Sequence, residues 1–232
     1  IVLMKTKIPA AIILCGGKGT RLRPLTNDKP KPLVEINGKP ILYYVIKHLV
    51  KSGIKEFYIA TGYKSKKIEK FMKKTFKDLD YKIVDSGDVD IIYRIKDCLK
   101  HFNNDFILCY GDTISNVNIN KLIKYHNQEP NKVTVTSYPV LIPFGLMELN
   151  EKGYVKSFKE KPILKDSINI GYFYFNNTMR DLIIKKRKLI HIIEYLVQQY
   201  KLRAYQHKGI HITINTLAEL DYAKKNISKI YK

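Results

Sequence analysis

Tryptophan is absent from this chain, and only six of its 42 basic residues are arginine. Arginine is the side chain suited to bidentate phosphate and base contacts. A net charge of +21 carried mostly by dispersed lysine therefore points away from nucleic acid as the main partner. The densest basic run, Lys185-Lys186-Arg187-Lys188, reads as a solvated helix end. Cysteine occurs three times, at Cys15, Cys98 and Cys109, with no C-x-x-C spacing. An odd, scattered set excludes a disulfide framework and a cysteine zinc site, and reads as reduced thiols of a cytoplasmic protein. No apolar stretch reaches the ~20 residues of a membrane span, and no signal peptide is visible. Ile1-Val2-Leu3 precedes Met4, which reads as the natural start. Linkers, repeats and low-complexity segments are missing too. The expectation is one domain over residues 1–232, burying roughly 70% of its unfolded surface.

What is present is concentrated between Ile12 and Pro40, IILCGGKGTRLRPLTNDKPKPLVEINGKP. An apolar run ends at Leu14 and empties into Cys15-Gly16-Gly17-Lys18-Gly19-Thr20-Arg21. Glycines without a Cβ can take positive φ and let backbone N–H groups approach an anion. Arg21 adds a fixed planar charge, and Lys29 and Lys31 follow between Pro30 and Pro32. A strand, an amide cradle and three cations predict a polyphosphate site.

Other phosphate loops do not fit. A Walker A loop needs G-x-x-x-x-G-K-[ST], which does not occur, and a dinucleotide fingerprint needs a third glycine where Leu22 stands. A dinucleotide loop also opens a helix at once, and Pro24, Pro30 and Pro32 forbid one here.

Beyond this stretch the pattern alternates. Helical stripes at Ile41/Leu42/Val45/Ile46/Leu49, Ile68/Phe71/Met72 and Ile92/Ile95/Leu99/Phe102 are interleaved with strands at 56–60, 81–84 and 106–110. A further helix starts near Ile119. This rhythm predicts an α/β fold: a mostly parallel sheet with helices on both faces, spanning about residues 8–130. From about 131 the chain reads as strands with short connections, at 133–138, 145–149, 154–158 and 168–175, a mixed or antiparallel half. Helices near 178–186 and 190–200, strands at 203–206 and 210–214, and a terminal helix from Leu217 toward Ile230 complete it.

Tyr110-Gly111-Asp112 closes the continuous apolar strand, and ligands of open α/β sheets sit beyond such carboxyl ends. A carboxylate there, opposite a polyphosphate loop, suits Mg²⁺. His207 and His211 stand four apart on a predicted strand, with no acidic partner, which argues against zinc.

The segment GGKGTRLRPLT…KPKPLVEINGKPI resembles the signature of the sugar nucleotidyltransferases, the nucleoside-diphosphate-sugar pyrophosphorylases. The likeness runs from about Pro9 to Tyr222. It implies a Rossmann-like nucleotide half joined to a sugar-binding half, and transfer of a nucleotidyl group from an NTP to a sugar 1-phosphate with Mg²⁺ as cofactor. On this reading Leu14, Cys15, Gly16, Gly17, Lys18, Gly19, Thr20 and Gly111 hold the nucleotide, with Arg21 and Lys31 acting on the phosphates. Val84-Asp85-Ser86-Gly87 with Tyr93-Arg94-Ile95 is similar to the V-D-T-G…G-R-I segment of glucose-1-phosphate cytidylyltransferases, which gives Arg94 a nucleotide role. Phe144-Gly145 and Phe158-Lys159-Glu160-Lys161-Pro162 resemble the F-G and F-x-E-K-P segments, making Lys161 the clamp on the sugar phosphate beside Gly145 and Glu160. Ile168-Asn169-Ile170-Gly171 resembles I-N-G-G, so Asn169 and Gly171 inherit the sugar contacts.

In the closing segment, similar to Y-x-H-x-G…M-D-T-L, the metal-binding Asp of the family is Asn215. Asn215 offers a neutral oxygen in place of a charge and should weaken Mg²⁺ binding. CTP and glucose 1-phosphate are the favoured pair, with other NTPs and sugar phosphates, or a catalytically weak paralogue, as rivals. A glycosyltransferase would need a D-x-D motif, formally met by Asp88-Val89-Asp90 but followed by an apparent helix. The expected state is a homo-oligomer in the cytoplasm, with neither nucleic acid nor membrane as partner.

Overall fold

The computed structural model describes residues 8–231, so Ile1-Val2-Leu3 and the start read at Met4 lie outside it. The chain opens on β1 (Ala10–Leu14), buried at every position. β2 (Glu35–Ile36) and β3 (Lys39–Pro40) form a minimal hairpin about Asn37-Gly38, both at positive φ. Then come α1 (Ile41–Lys51), β4 (Glu56–Thr61), α2 (Ser65–Thr75), β5 (Asp80–Asp85), α3 (Ile91–Leu99), β6 (Phe106–Tyr110), β7 (Thr113–Ser115) and α4 (Ile119–His126). The second half holds β8 (Val133–Leu141), β9 (Leu146–Leu149), β10 (Val155–Lys159), β11 (Ile163–Phe175), α5 (Arg180–Lys185), α6 (Leu189–Gln198), β12 (Leu202–Gln206), β13 (His211–Thr213) and α7 (Leu217–Ile230).

Seven strands make one sheet in the order β12-β8-β11-β6-β1-β4-β5. β6, β1, β4 and β5 run parallel, β12 runs parallel to β8, and β11 is antiparallel to both its neighbours. The α/β sheet predicted from the alternating pattern is present, and it continues without a break into the second half. Alternate residues of β1 feed two cores. Ala11 and Ile13 join the cluster under α1 and α7, and Ala10, Ile12 and Leu14 join the one under α3 and α6. α1 buries Ile41, Leu42, Val45, Ile46 and Leu49 completely, each worth about 1.5–3 kcal/mol of transfer free energy. Gly53, at φ 91°, turns the chain out of that helix.

Helix starts are fixed chemically. The Asp90 carboxylate accepts from Ile92 N–H at the head of α3. Thr216 and Glu219 form a capping box on α7. Asp90 is thereby a cap, and Asp88 pairs with Lys18, so both acids of the formal D-x-D motif have other partners.

Several boundaries differ from the sequence pattern. β11 begins at Ile163, because its first residues pair with the far end of β8 through a register shift. The helix expected near 178 opens with a 3₁₀ turn at Asn177–Met179. β2, β3 and β7 are too short for periodicity to reveal. His207 lies past the end of β12 and His211 opens β13, so the two do not share a strand. No helix among the described residues is long and apolar enough to cross a membrane.

Candidate active site

The loop after β1 sits where the parallel strands end. Cys15 N–H donates to Ala60 O at 2.7 Å, and Gly111 N–H donates to Leu14 O at 3.0 Å, tying the loop to both flanking strands. Gly16 is buried over Arg94. Arg94 Nη2 donates to Gly16 O at 3.3 Å and to Gly87 O at 3.0 Å. A Cβ on Gly16 would stand 2.1 Å from Arg94 Nε. Gly19 is left-handed, at φ 63°, and a Cβ there would meet the Lys31 stem at 2.8 Å. Thr26 Oγ donates to Gly19 O at 2.9 Å and holds the turn from below. Among the described residues, no backbone carbonyl accepts from the N–H groups of Gly16 to Thr20, and unpaired amides in a glycine turn are groups that an anion can use.

Two further segments close the cavity. β7 pairs with β13 in the register Thr113↔Thr213, which brings Asp112 beside the residues that follow β13. Asn215 N–H donates to Glu219 Oε2 at 2.7 Å, so the first turn of α7 fixes that residue. Lys31, nearly buried, reaches both: its Nζ lies 2.5 Å from Asp112 Oδ2 and 3.0 Å from Asn215 Oδ1. The result is a cavity of about 230 Å³ lined by Leu14, Cys15, Gly17, Gly19, Thr20, Arg21, Leu22, Lys31, Pro32, Asp112 and Asn215. The Asp112 carboxylate and the Asn215 amide oxygen converge on one cation, Lys31 Nζ. Such hard oxygen donors fit Mg²⁺, which is held by one or two protein oxygens plus substrate phosphates. Among the described residues no cluster of three His, Cys, Asp or Glu exists to hold a metal alone.

The other residues singled out in the sequence lie around this cavity or apart from it. Lys18 turns away to Asp88 at 2.7 Å, and Lys29 lies 3.8 Å from Glu35. Gly111 backs the cavity: a Cβ there would meet Cys15 Sγ at 2.5 Å. Burial pushes the Cys15 thiol well above its ordinary pKa, so it is an inert wall. Arg94 supports the loop from behind and does not line the cavity. Lys161 follows β10 at φ 44°, is 67% exposed, and lies 3.8 Å from Glu160. Gly145 abuts the Phe158 ring. Asn169 Oδ1 accepts from Gly171 N–H at 2.8 Å, and the space a side chain would need at Gly171 is filled by the Tyr110 ring. Leu22 and Pro32 also line the cavity and Thr26 braces its loop; in sequence they are marked only by lying within the Gly16–Pro40 run.

The two histidines have structural partners. His207 Nε2 is 3.2 Å from both Ser115 Oγ and Ile210 O, and His211 Nε2 is 3.0 Å from Thr213 Oγ. Burial lowers His211 to about pKa 4, which keeps it neutral.

A glycine loop at the carboxyl end of a parallel sheet, sharing a cavity with a Lys–carboxylate pair, gives this α/β fold one polar site. The matching family model, Nucleotidyl transferase, covers residues 10–210, and the chain belongs to that family. It is 32% identical to the glucose-1-phosphate cytidylyltransferase of Salmonella typhi over 240 residues, covering 91% of this chain and 93% of that one. It is 30% identical to the D-glycero-alpha-D-manno-heptose 1-phosphate guanylyltransferase of Campylobacter jejuni, over 82% of this chain and 86% of that one. Among solved structures, HddC from Yersinia pseudotuberculosis superposes with a TM-score of 0.74 at 22% identity, over 94% of this chain and 99% of that one.

Proposed function

We propose that this enzyme joins an NTP to a sugar 1-phosphate, giving an NDP-sugar and pyrophosphate for surface polysaccharide or glycoconjugate synthesis in the cytoplasm. CTP and glucose 1-phosphate are the favoured pair, supported by the likeness to the Salmonella typhi cytidylyltransferase. The observation that carries the reading is the glycine loop, whose Gly17, Gly19, Thr20 and Arg21 line one cavity with Lys31 and Asp112.

The reaction is a single displacement. A phosphate oxygen of the sugar attacks the α-phosphorus, the bond to the bridging oxygen breaks, and pyrophosphate leaves. Positioning and charge neutralisation account for catalysis of this kind, with no covalent nucleophile. The loop amides and Arg21 bind the triphosphate. Lys31 neutralises charge on the departing side. Arg94 acts as a positioning residue, fixing Gly16. Mg²⁺, held by Asp112 and Asn215, would supply further neutralisation of phosphate charge. Lys161, Asn169 and Gly171 belong to the acceptor side.

Pyrophosphate release across four NTPs and a panel of sugar 1-phosphates tests this. The CTP and glucose 1-phosphate pair should give the highest kcat/KM. Asn215 supports a second reading, a weak regulatory paralogue. Retained NTP binding with no turnover on any pair would select it.

A further inference from the structure

Lys31 Nζ lies 2.5 Å from Asp112 Oδ2 and 3.0 Å from Asn215 Oδ1, the two oxygens given above to Mg²⁺. Bonds from Mg²⁺ to oxygen are about 2.0–2.1 Å long. A divalent ion on the same two oxygens would therefore stand within about 4–5 Å of the ammonium. Solvent has little access to screen the two: the Lys31 side chain is 10% exposed and that of Asp112 28%.

Charge decides which cation can stay. The Asp112 carboxylate and the Lys31 ammonium cancel, and Asn215 supplies only a dipole, so the trio is already neutral. A divalent ion added with Lys31 in place would leave the cavity with an uncompensated double positive charge, and like charges this close in a partly closed site repel strongly. An Asp at 215 would keep one negative charge in hand to attract the ion. The amide keeps none.

Lys31 can leave these oxygens without moving the backbone. Its carbonyl accepts from Val34 N–H at 3.0 Å, and Pro30 and Pro32 stiffen the chain on either side. Beyond that anchor the side chain is a flexible four-carbon stem. The stem starts against Gly19, where a Cβ would meet Lys31 Cβ at 2.8 Å and Cγ at 3.4 Å. Gly19, Thr20 and Arg21 line the same cavity as Lys31, so a phosphate held by the loop offers the ammonium a second anionic partner.

We propose that Lys31 is an internal counter-ion that closes Asp112 and Asn215 to divalent metal until the phosphates of a nucleotide draw the ammonium away. The inference rests on the nucleotidyl-transfer reading and deepens it. Metal and triphosphate then bind as a coupled pair, and the coupling is reciprocal.

Electron paramagnetic resonance of Mn²⁺ with the full chain, in the absence of nucleotide, tests the proposal. The wild type should bind Mn²⁺ with a dissociation constant above about 1 mM. Lys31→Met should bind it at least about tenfold more tightly. Adding Asp112→Asn to Lys31→Met should abolish the gain, which locates the ion. Lys29→Met, which removes a nearby charge turned to Glu35, should change nothing. Mg²⁺ at about 5 mM should raise the Tm of Lys31→Met and not that of the wild type. Saturating CTP should bring Mn²⁺ onto the wild type, read as water-proton relaxation above that of Mn²⁺ and CTP alone.

An unchanged circular dichroism spectrum checks that each variant is folded. Should Lys31→Met fail to fold, Lys31→Gln takes its place, and the wild-type measurement stands in either case. A nucleotide-free wild type that binds Mn²⁺ more tightly than about 1 mM would overturn the proposal. So would a folded Lys31 variant that binds no better than wild type, or an equal gain in Lys29→Met. No relaxation enhancement with any of four NTPs would instead strike the nucleotide reading, so the two failures are distinguishable.

Discussion

Lys31 stands between Asp112 and Asn215, 2.5 Å from the carboxylate and 3.0 Å from the amide oxygen. Three segments far apart in sequence therefore meet at one ammonium. The carboxylate contributes a full charge to this contact, and the amide only a dipole. With Asn at 215 the trio carries no net negative charge.

Removing the ammonium should be costly. Lys31→Met should lower kcat/KM by about 10²–10³-fold, the usual loss when one preorganised charge leaves a phosphoryl-transfer site. Steady-state pyrophosphate release measures it. A loss under threefold would take Lys31 out of the transition state.

Restoring a carboxylate should act on the metal. Asn215→Asp should lower the Mg²⁺ concentration for half-maximal activity about tenfold, since two carboxylates bind the ion better than one. Titration of activity with MgCl₂ reads this. An unmoved midpoint would mean that Asn215 does not face the ion.

The Gly16–Arg94 contact can be tested by a pair of changes. Gly16→Ala puts a methyl 2.1 Å from Arg94 Nε and should cost about 1–3 kcal/mol, with weakened nucleotide binding. In an Arg94→Ala background the obstruction is gone. Gly16→Ala should then cost little more Tm, so the two effects should be strongly non-additive.

Lys161→Ala should raise KM for the sugar 1-phosphate by roughly tenfold and leave KM for the NTP within twofold. Equal effects on both substrates would assign Lys161 elsewhere.

Acid should destabilise the fold partly through His126, which is fully buried beneath Tyr174 with Nδ1 3.0 Å from Thr134 Oγ. Burial, against a smaller opposing effect of Asp105, lowers its pKa to about 4. Between about pH 6.5 and pH 4 the unfolded chain binds a proton that the folded chain refuses. Stability therefore falls as pH drops through that window and levels off below it. Urea unfolding of wild type and His126→Gln at about pH 7.5 and about pH 4.5 should show about 1–3 kcal/mol less acid loss in the variant. Equal pH slopes would contradict it.

The glycine loop and the alternating half were legible because their signals are local. β1 reads as five consecutive apolar residues, and α1 as a repeating stripe, before any contact is known. Asp112 was legible as the residue closing a buried strand. The V-D-S-G…R-I segment resembles a nucleotide-holding one, but nothing local in it says that the Arg94 guanidinium lies behind Gly16, 78 positions away. The bulged start of β11 and the three-residue β7 were not legible, since each exists only through a partner strand.

The sequence by itself determined the α/β class, the glycine loop after β1 and the presence of an amide, not a carboxylate, at Asn215. These follow from the run of side chains, the permissive φ of glycine and the chemistry of one amide. Tertiary structure decided which cation faces the carboxylate: Lys31 is turned to Asp112, while Lys18 and Lys29 are turned away to Asp88 and Glu35. It also decided that Asn169 spends its oxygen on Gly171. Charge and residue type are local properties, whereas the direction of a side chain depends on what the fold packs beside it.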